Sequence, residues 1–353
     1  MSHQEFIGEH LKRHVPVVIE GLQEDAPISS LTSQRDALAA LGDLVIQVQA
    51  NYTSPLSRAG ADVRRQGLSQ KVRNSISEMP LQDYCKHVED QPDTDLLCVE
   101  YPSPPELLDR MNVPGYCELP WSAEPLVTFM FVANKGNYAH LHFDGDFRGV
   151  LLYQVFGRKR VVMVPLEAQG KIAPSMNFSK LLLQNLDENE KHHLLRYLGA
   201  YDCVISPGDT IFFPPSIWHY VEYLDNGMSV NLRFGRDEFA QRCVDANRVP
   251  FYPDLHLMLA RLGRVEDGGE RQAKERAIWA QVEQTLGREY PTTRDRHYAA
   301  QEMYRSLADS LPGGGQRPAL MTTDCLIAEA MAIERYESES TRWRTELKLG
   351  TPL

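Results

Sequence analysis

The sequence predicts a mainly β core of the sandwich or jelly-roll kind, flanked by N-terminal α/β elements and followed by a helical C-terminal region. Three observations lead to this prediction. Short apolar runs separated by Gly and Pro turns fill residues 121–236, mixed patterns occupy residues 1–120, and helical patterns fill residues 237–349. Many short strands with frequent turns are typical of all-β sandwiches and jelly rolls.

Residues 1–120 are expected to form an α/β layer ahead of the β core. The apolar, β-branched run 15–19 is typical of a buried strand, and the run 44–48 predicts a second strand. Helical patterns cover residues 5–14, 33–41 and 80–88.

The β core is predicted from six apolar runs. Phe156-Gly157 joins two of them, which are therefore expected to form a hairpin, and Pro207-Gly208-Asp209 marks a turn between two others. The predicted strands are 126–132, 149–155, 158–164, 201–206, 210–213 and 228–234.

The C-terminal region carries helical patterns and one break. The patterns cover residues 237–244, 253–262, 269–286, 294–311 and 319–346. The run Leu311-Pro312-Gly313-Gly314-Gly315 is typical of a flexible linker. An apolar face at roughly helical spacing consists of Tyr298, Met303, Tyr304, Leu307 and Leu311. This face could pack against its own β core or form a homodimer.

Composition and charge argue against several classes of protein. The chain has 353 residues and a net charge of −11, which disfavours binding to nucleic acid and would suit a basic peptide. It contains no run of 18 apolar residues and no signal-peptide pattern, so no membrane partner is expected. Its six cysteines include no Cys-x-x-Cys pair, which indicates reduced thiols and a cytoplasmic location.

The residues best suited to chemistry lie in the stretch 137–146. On a strand, alternate side chains share one face, so His140, His142 and Asp144 are expected to point into one cavity. His219 follows a turn and an aromatic strand that can bring it beside them. Two imidazoles and one carboxylate on one face of an octahedron suit non-haem Fe(II). His142, Asp144 and His219 can supply such a set, and His140 lies beside them.

Several motifs together resemble the JmjC and cupin-8 group of 2-oxoglutarate oxygenases. They are Val15 to Gly21, His142-Phe143-Asp144, Gln154 to Arg160, Ser206 to Thr210, Trp218-His219 and Ser229-Val230-Asn231. The resemblance covers about two thirds of the chain. It implies a double-stranded β-helix barrel of the cupin type, with a catalytic domain over residues 1–236 whose barrel core spans about 121–236. The helical region 237–353 would then cover the substrate or form a dimer.

The resemblance also implies a role for individual residues. His142, Asp144 and His219 would be the iron ligands and catalytic residues. Lys159 would bind the distal carboxylate of 2-oxoglutarate, with Arg233 as a second candidate, and Asn231 would line the pocket of that co-substrate. With Fe(II) and O2, such a site would hydroxylate a protein or peptide side chain or a small metabolite. If the oxidised carbon is a methyl group bonded to nitrogen, the reaction would instead lead to demethylation.

The chain departs from the group's pattern near the predicted metal ligands. Members often carry a hydroxyl residue just ahead of the His-x-Asp motif and an Asn before the lysine, whereas Ala139 and the run 148–152 occupy those places here. Tyr138, Thr128 and Tyr153 are candidates for the missing contacts.

Two other interpretations stay open. His140, His142, Asp146 and His219 resemble the metal site of cupins that act without 2-oxoglutarate. The barrel could also be a non-catalytic binding module. Comparing His140→Ala with Asp144→Ala distinguishes the first alternative from the His142, Asp144 and His219 site. Release of succinate distinguishes an oxygenase from the non-catalytic module.

Overall fold

The computed structural model of the chain describes most of the sequence. The described residues are 1–50, 77–94, 96–119, 122, 125–175, 177–179, 181–247, 252–266 and 268–314. The predicted helix 319–346 and the last residue of the predicted linker, Gly315, lie outside them.

Fourteen strands form within the described residues. They are β1 Val17–Ile19, β2 Val45–Ala50, β3 Ser77–Pro80, β4 Leu96–Pro102, β5 Val127–Ala133, β6 Tyr138–His142, β7 Gly149–Phe156, β8 Lys159–Val164, β9 Pro174–Ser175, β10 Phe178–Ser179, β11 Tyr201–Ile205, β12 Thr210–Phe213, β13 Trp218–Tyr223 and β14 Gly227–Phe234.

The helices lie mainly at the two ends of the described chain. They are α1 His3–Glu5, which continues as a π-helix over Phe6–Leu11, α2 Gln34–Leu41, α3 Leu81–Asp90, α4 Pro105–Leu108, α5 Glu188–Leu198, α6 Glu238–Asp245, α7 Pro253–Gly263, α8 Gly269–Leu286 and α9 Thr293–Asp309. Ser33, Asp187 and Thr292 start α2, α5 and α9, because each side chain accepts a hydrogen bond from a backbone N–H in the first turn. None of the described helices is both long and apolar enough to cross a lipid bilayer.

The strands form two antiparallel sheets, which confirms the predicted jelly-roll core. The large sheet has the order β1-β12-β7-β14-β5-β4-β2-β3, and the small sheet has the order β11-β8-β13-β6-β10-β9. Alternate residues of both sheets meet in a shared apolar cluster that includes Val150, Leu152, Val161, Met163, Ile211 and Phe213. The intervening residues belong to other clusters, on the outer faces of the sheets.

Two local predictions need correction. The expected hairpin at Gly157 does not form, because β7 pairs with β12 and β14 whereas β8 pairs with β11 and β13. The chain therefore crosses from the large sheet to the small one at this glycine. The run 15–19 was expected to be buried, but β1 is an edge strand that pairs only with β12, and Val18 is 38% exposed.

The helical region packs against the outer face of the small sheet. Outward residues of that sheet and buried residues of α7 and α9 form one apolar cluster, which includes Val162, Trp218, Tyr220, Leu255, Met258, Tyr304 and Leu307. Four residues of the predicted apolar face, Met303, Tyr304, Leu307 and Leu311, are thus buried within the chain itself, whereas Tyr298 is 52% exposed. A homodimer through this region stays a prediction.

Gly157 is expected to tolerate no side chain. It has a φ of +71°, and an added Cβ would overlap the carbonyl oxygen of Asn226 and lie 2.8 Å from Cα of Gly227. Gly157→Ala should therefore lower the free energy of unfolding by about 3 kcal/mol or more, from steric overlap and backbone strain together. Gly208→Ala is the matched control, because Gly208 also has a positive φ but has no atom within 4 Å of its Cβ position. Urea denaturation measures both, and equal losses would contradict the steric argument.

Candidate metal centre

Two neighbouring strands bring the predicted histidines together. β6 and β13 pair in the small sheet, and their register sets His142 directly opposite His219, with 4.3 Å between the ring centroids. Asp144 follows two residues after the end of β6, and its Oδ1 lies 3.6 Å from Nε2 of His142. One potential ligand atom from each of the three side chains lies within 4.8 Å of the others. Their role as metal ligands stays a prediction.

Backbone carbonyls orient both imidazole rings. Nδ1 of His142 lies 2.6 Å from the carbonyl oxygen of His140, and Nδ1 of His219 lies 2.9 Å from that of Ile217. A carbonyl oxygen only accepts, so each Nδ1 carries the proton and each Nε2 keeps a free lone pair. Metal-binding histidines in proteins commonly have this arrangement. Two imidazole nitrogens and a carboxylate in this geometry fit a divalent transition metal such as Fe(II).

Asp144 is held in its charged form. Burial alone would raise the pKa of this carboxyl, but the guanidinium of Arg233, followed by the neighbouring ring of His142, holds it well below its usual range. Nη2 of Arg233 lies 3.4 Å from Oδ2 of Asp144. Burial, followed by the neighbouring His142, lowers the pKa of His219 to about 4, so its ring is neutral at neutral pH. Carboxylate and neutral imidazole are the protonation states that bind metal.

Arg233 joins three carboxylates at this site. Besides Asp144, its guanidinium lies 2.5 Å from Oε1 of Glu100 and 3.6 Å from Oδ2 of Asp146. Burial, then the charge of Asp144, raises the pKa of Asp146 to about 6. Glu100 has a φ of +49° in an irregular part of β4, a conformation that non-glycine residues seldom adopt. No local sequence pattern indicated Glu100, which contacts Arg233 from this irregular part of the strand.

His140 does not join the converging side chains, contrary to the prediction. Between paired residues, β6 advances from Ala139 to His142, three positions, while β13 advances only from Val221 to His219, two positions. This β-bulge inserts one residue and breaks the two-residue alternation. Ala139 packs against the interior cluster, and His142 faces His219.

The ring of His140 has other partners. It is fully buried, with Nε2 2.7 Å from the carbonyl oxygen of Ser179 and Nδ1 3.4 Å from Oε1 of Gln184. Burial lowers its pKa to about 4, so the ring is neutral. Asp146, the acid of the alternative site, contacts Arg233 instead. Among the described residues, the alternative set is therefore not brought together, while His142, Asp144 and His219 are.

Lys159 is a buried cation within the barrel. It shares a strand face with the interior residues Val161 and Met163, and it is 1% exposed. Its Nζ lies 2.5 Å from Oγ of Ser229 and 4.2 Å from the ring centroid of Tyr223. Burial lowers its pKa to about 7.

The surroundings of Lys159 leave polar groups without partners. Among the described residues, no carboxylate lies within 4.0 Å of its ammonium, whereas Arg233 has three carboxylates around it. Asn231 lies between Ser229 and Arg233 on the same face of β14, and its buried Oδ1 has no hydrogen-bond partner within the described part of the chain. The buried Oε1 of Gln154 also has none. Buried polar atoms are normally satisfied, so these fit a polar ligand.

Comparisons with known proteins give a family and several relatives. The family model for the cupin-like domain matches residues 3–237. Lysine-specific demethylase JMJ30 of Arabidopsis thaliana is 30% identical over 131 residues, which is 36% of this chain and 30% of that protein. Lysine-specific demethylase 8 of Xenopus tropicalis is 29% identical over 133 residues, covering 36% and 29%.

A further relative matches over a longer segment. JmjC domain-containing protein 8 of Rattus norvegicus is 22% identical over 244 residues, which is 67% of this chain and 80% of that protein. The matches to the two demethylases span less than a third of either relative's length.

Proposed function

This chain belongs to the cupin-like domain family, and from that membership we propose that it is an oxygenase that uses Fe(II) and 2-oxoglutarate. One observation carries the proposal. Two free imidazole Nε2 atoms and one charged carboxylate converge within 4.8 Å in a barrel that also buries a lysine. This donor set leaves three positions of an octahedral metal open for a co-substrate and O2.

His142, Asp144 and His219 would hold the iron. When bound, the iron with 2-oxoglutarate and O2 would supply the oxidising chemistry for a C–H bond. The protein's own contribution is to fix geometry: the carbonyls of His140 and Ile217 set the two rings, and Arg233 keeps the Asp144 carboxylate charged and in place. Such positioning is a large part of how enzymes accelerate reactions.

Lys159 would bind the distal carboxylate of 2-oxoglutarate. A buried ammonium with a serine hydroxyl beside it is a suitable partner for a carboxylate, because the attraction is strong where water is excluded. Arg233 is the weaker candidate, since Asp144, Glu100 and Asp146 already surround its guanidinium. The free oxygens of Asn231 and Gln154 would accept hydrogen bonds from groups or water in the same pocket.

The proposed reaction is hydroxylation of a protein or peptide side chain or of a small metabolite. Demethylation is the second candidate, because two of the relatives are named lysine-specific demethylases. The net charge of −11 favours a basic substrate over a nucleic acid in either case.

The direct test is co-substrate turnover without a known substrate. Purified protein with Fe(II), ascorbate, 2-oxoglutarate and O2 is expected to release succinate slowly, above the rate of a boiled sample. Histone peptides and cell extracts then serve as substrate sources, and formaldehyde distinguishes demethylation from hydroxylation. A protein that binds Fe(II) but neither binds 2-oxoglutarate nor forms succinate would contradict the proposal.

A further inference from the structure

We propose that His256, in the helical region outside the family match, is a positioning residue for the metal centre. It would act through two contacts. One is with Ser216, which precedes His219 in the chain, and the other is with Phe143, which lies between His142 and Asp144. The inference rests on the proposed function, because it assumes that these three side chains bind a metal.

His256 is fixed within the helical region. It lies on α7 and is fully buried, with buried apolar residues on either side, Leu255 and Leu257. Both ends of the helix are held by buried polar contacts. Nε2 of Gln169 donates to Asp254 at 2.9 Å, and Nη1 of Arg261 donates to the carbonyl of Ala308 at 2.7 Å. The imidazole thus sits on a rigid support.

The first contact leads to His219. Nδ1 of His256 and Oγ of Ser216 form a buried hydrogen bond of 2.6 Å. Ser216 has a φ of +58°, a left-handed conformation that costs a non-glycine residue on the order of 1–3 kcal/mol and needs support from its surroundings. The next residue, Ile217, provides the carbonyl that accepts from Nδ1 of His219. His256 therefore supports the turn that sets the ring of the predicted ligand.

The second contact leads to the other two predicted ligands. The ring of Phe143, between His142 and Asp144, lies 4.5 Å from the ring of His256. Phe143 also packs edge-on against Trp218, the neighbour of His219, with 4.9 Å between centroids. One buried histidine thus contacts Phe143, which lies between two predicted ligands, and Ser216, which lies three residues before the third. Residues that orient metal ligands typically change metal affinity about 10- to 100-fold when they are replaced.

Binding of Co(II) to the apoprotein tests the inference without any turnover. Ser216→Gly removes the hydroxyl, while glycine accepts the positive φ without strain. His256→Phe keeps an aromatic ring against Phe143 but removes the hydrogen bond. Each variant is expected to bind Co(II) about tenfold more weakly and to alter its d–d absorption spectrum. Because both act through one bond, the double variant should bind about as well as the weaker single variant.

Tyr304→Phe is the matched control. It removes another buried hydrogen bond of the helical region, from Asn247 to Oη of Tyr304 at 2.7 Å, which is not part of either contact described above. It should lower the melting temperature but leave Co(II) affinity and spectrum unchanged. The inference is overturned if Ser216→Gly and His256→Phe bind Co(II) as the wild type does, if their effects multiply, or if Tyr304→Phe weakens binding equally. A wild-type protein that binds no Co(II) or Fe(II) would instead overturn the proposed function, and the inference with it.

Discussion

Asp144→Ala is expected to abolish succinate formation and to weaken Co(II) binding by more than about a hundredfold. Replacing residues that merely orient ligands costs about 10- to 100-fold, so removing a direct ligand should cost more. Asp144 is the only carboxylate of the converging set within the described residues. Titration with Co(II) and a succinate assay measure the two effects.

Two controls separate this result from general damage near the site. Asp146→Asn keeps the shape of a neighbouring acid that also contacts Arg233, and His140→Ala removes the other histidine of β6. Both are expected to retain Co(II) binding, although His140→Ala should lower the melting temperature because its buried hydrogen bonds are lost. Full iron-dependent activity in Asp144→Ala, with loss in His140→Ala, would favour the alternative cupin site.

Lys159→Met is expected to remove most of the affinity for 2-oxoglutarate while leaving Co(II) binding intact. Breaking a buried ion pair by removing one partner costs about 3–5 kcal/mol, which corresponds to roughly a hundredfold or more in Kd. Lys171→Met is the matched control, because Lys171 also lies over a tyrosine ring, 4.3 Å from the centroid of Tyr197, but on another part of the chain. Calorimetric titration measures the affinity of both variants for 2-oxoglutarate. Equal affinities would indicate that Arg233, and not Lys159, binds the distal carboxylate.

The pH dependence of the free energy of unfolding of the apoprotein tests the lowered pKa of Lys159 without any co-substrate. Its pKa is about 7 in the folded state against an ordinary value of 10.5. Below pH 7 both folded and unfolded chains carry the proton, whereas between pH 7 and about 10 the unfolded chain binds more protons. The free energy of unfolding of the wild type should therefore rise relative to that of Lys159→Met over this range. Urea denaturation at several pH values checks the slope, and a constant difference would contradict a buried, depressed lysine.

The strands and helices could largely be predicted because they depend on local pattern. The apolar runs that became β5, β7, β8, β12 and β14 and the capped helix that begins after Ser33 are signalled by neighbouring residues. The pairing of strands depends on the whole chain. A glycine between two apolar runs has the same pattern in a hairpin and in a crossing between sheets, so the crossing at Gly157 could not be distinguished.

In the candidate site, too, some residues could be predicted from local pattern and others depend on how the strands pair. His142 was predicted because alternate residues of a strand share one face, and His219 because it follows a turn and an aromatic strand. His140 was misplaced because a bulge depends on how β6 pairs with β13, which the alternation of one strand cannot reveal. His256 was overlooked, although a polar ring within the apolar run 255–260 has to find a hydrogen-bond partner and could have been noticed.

Arg233 places a positive charge of the protein itself beside Asp144. Its guanidinium forms an ion pair with Asp144. If Asp144 binds a metal ion, the guanidinium would keep its ion pairs with Glu100 and Asp146. Iron binding would then replace one positively charged partner of Asp144 with another. The three ligand side chains would not have to be brought together from distant positions. Metal loading should consequently require no refolding of the chain.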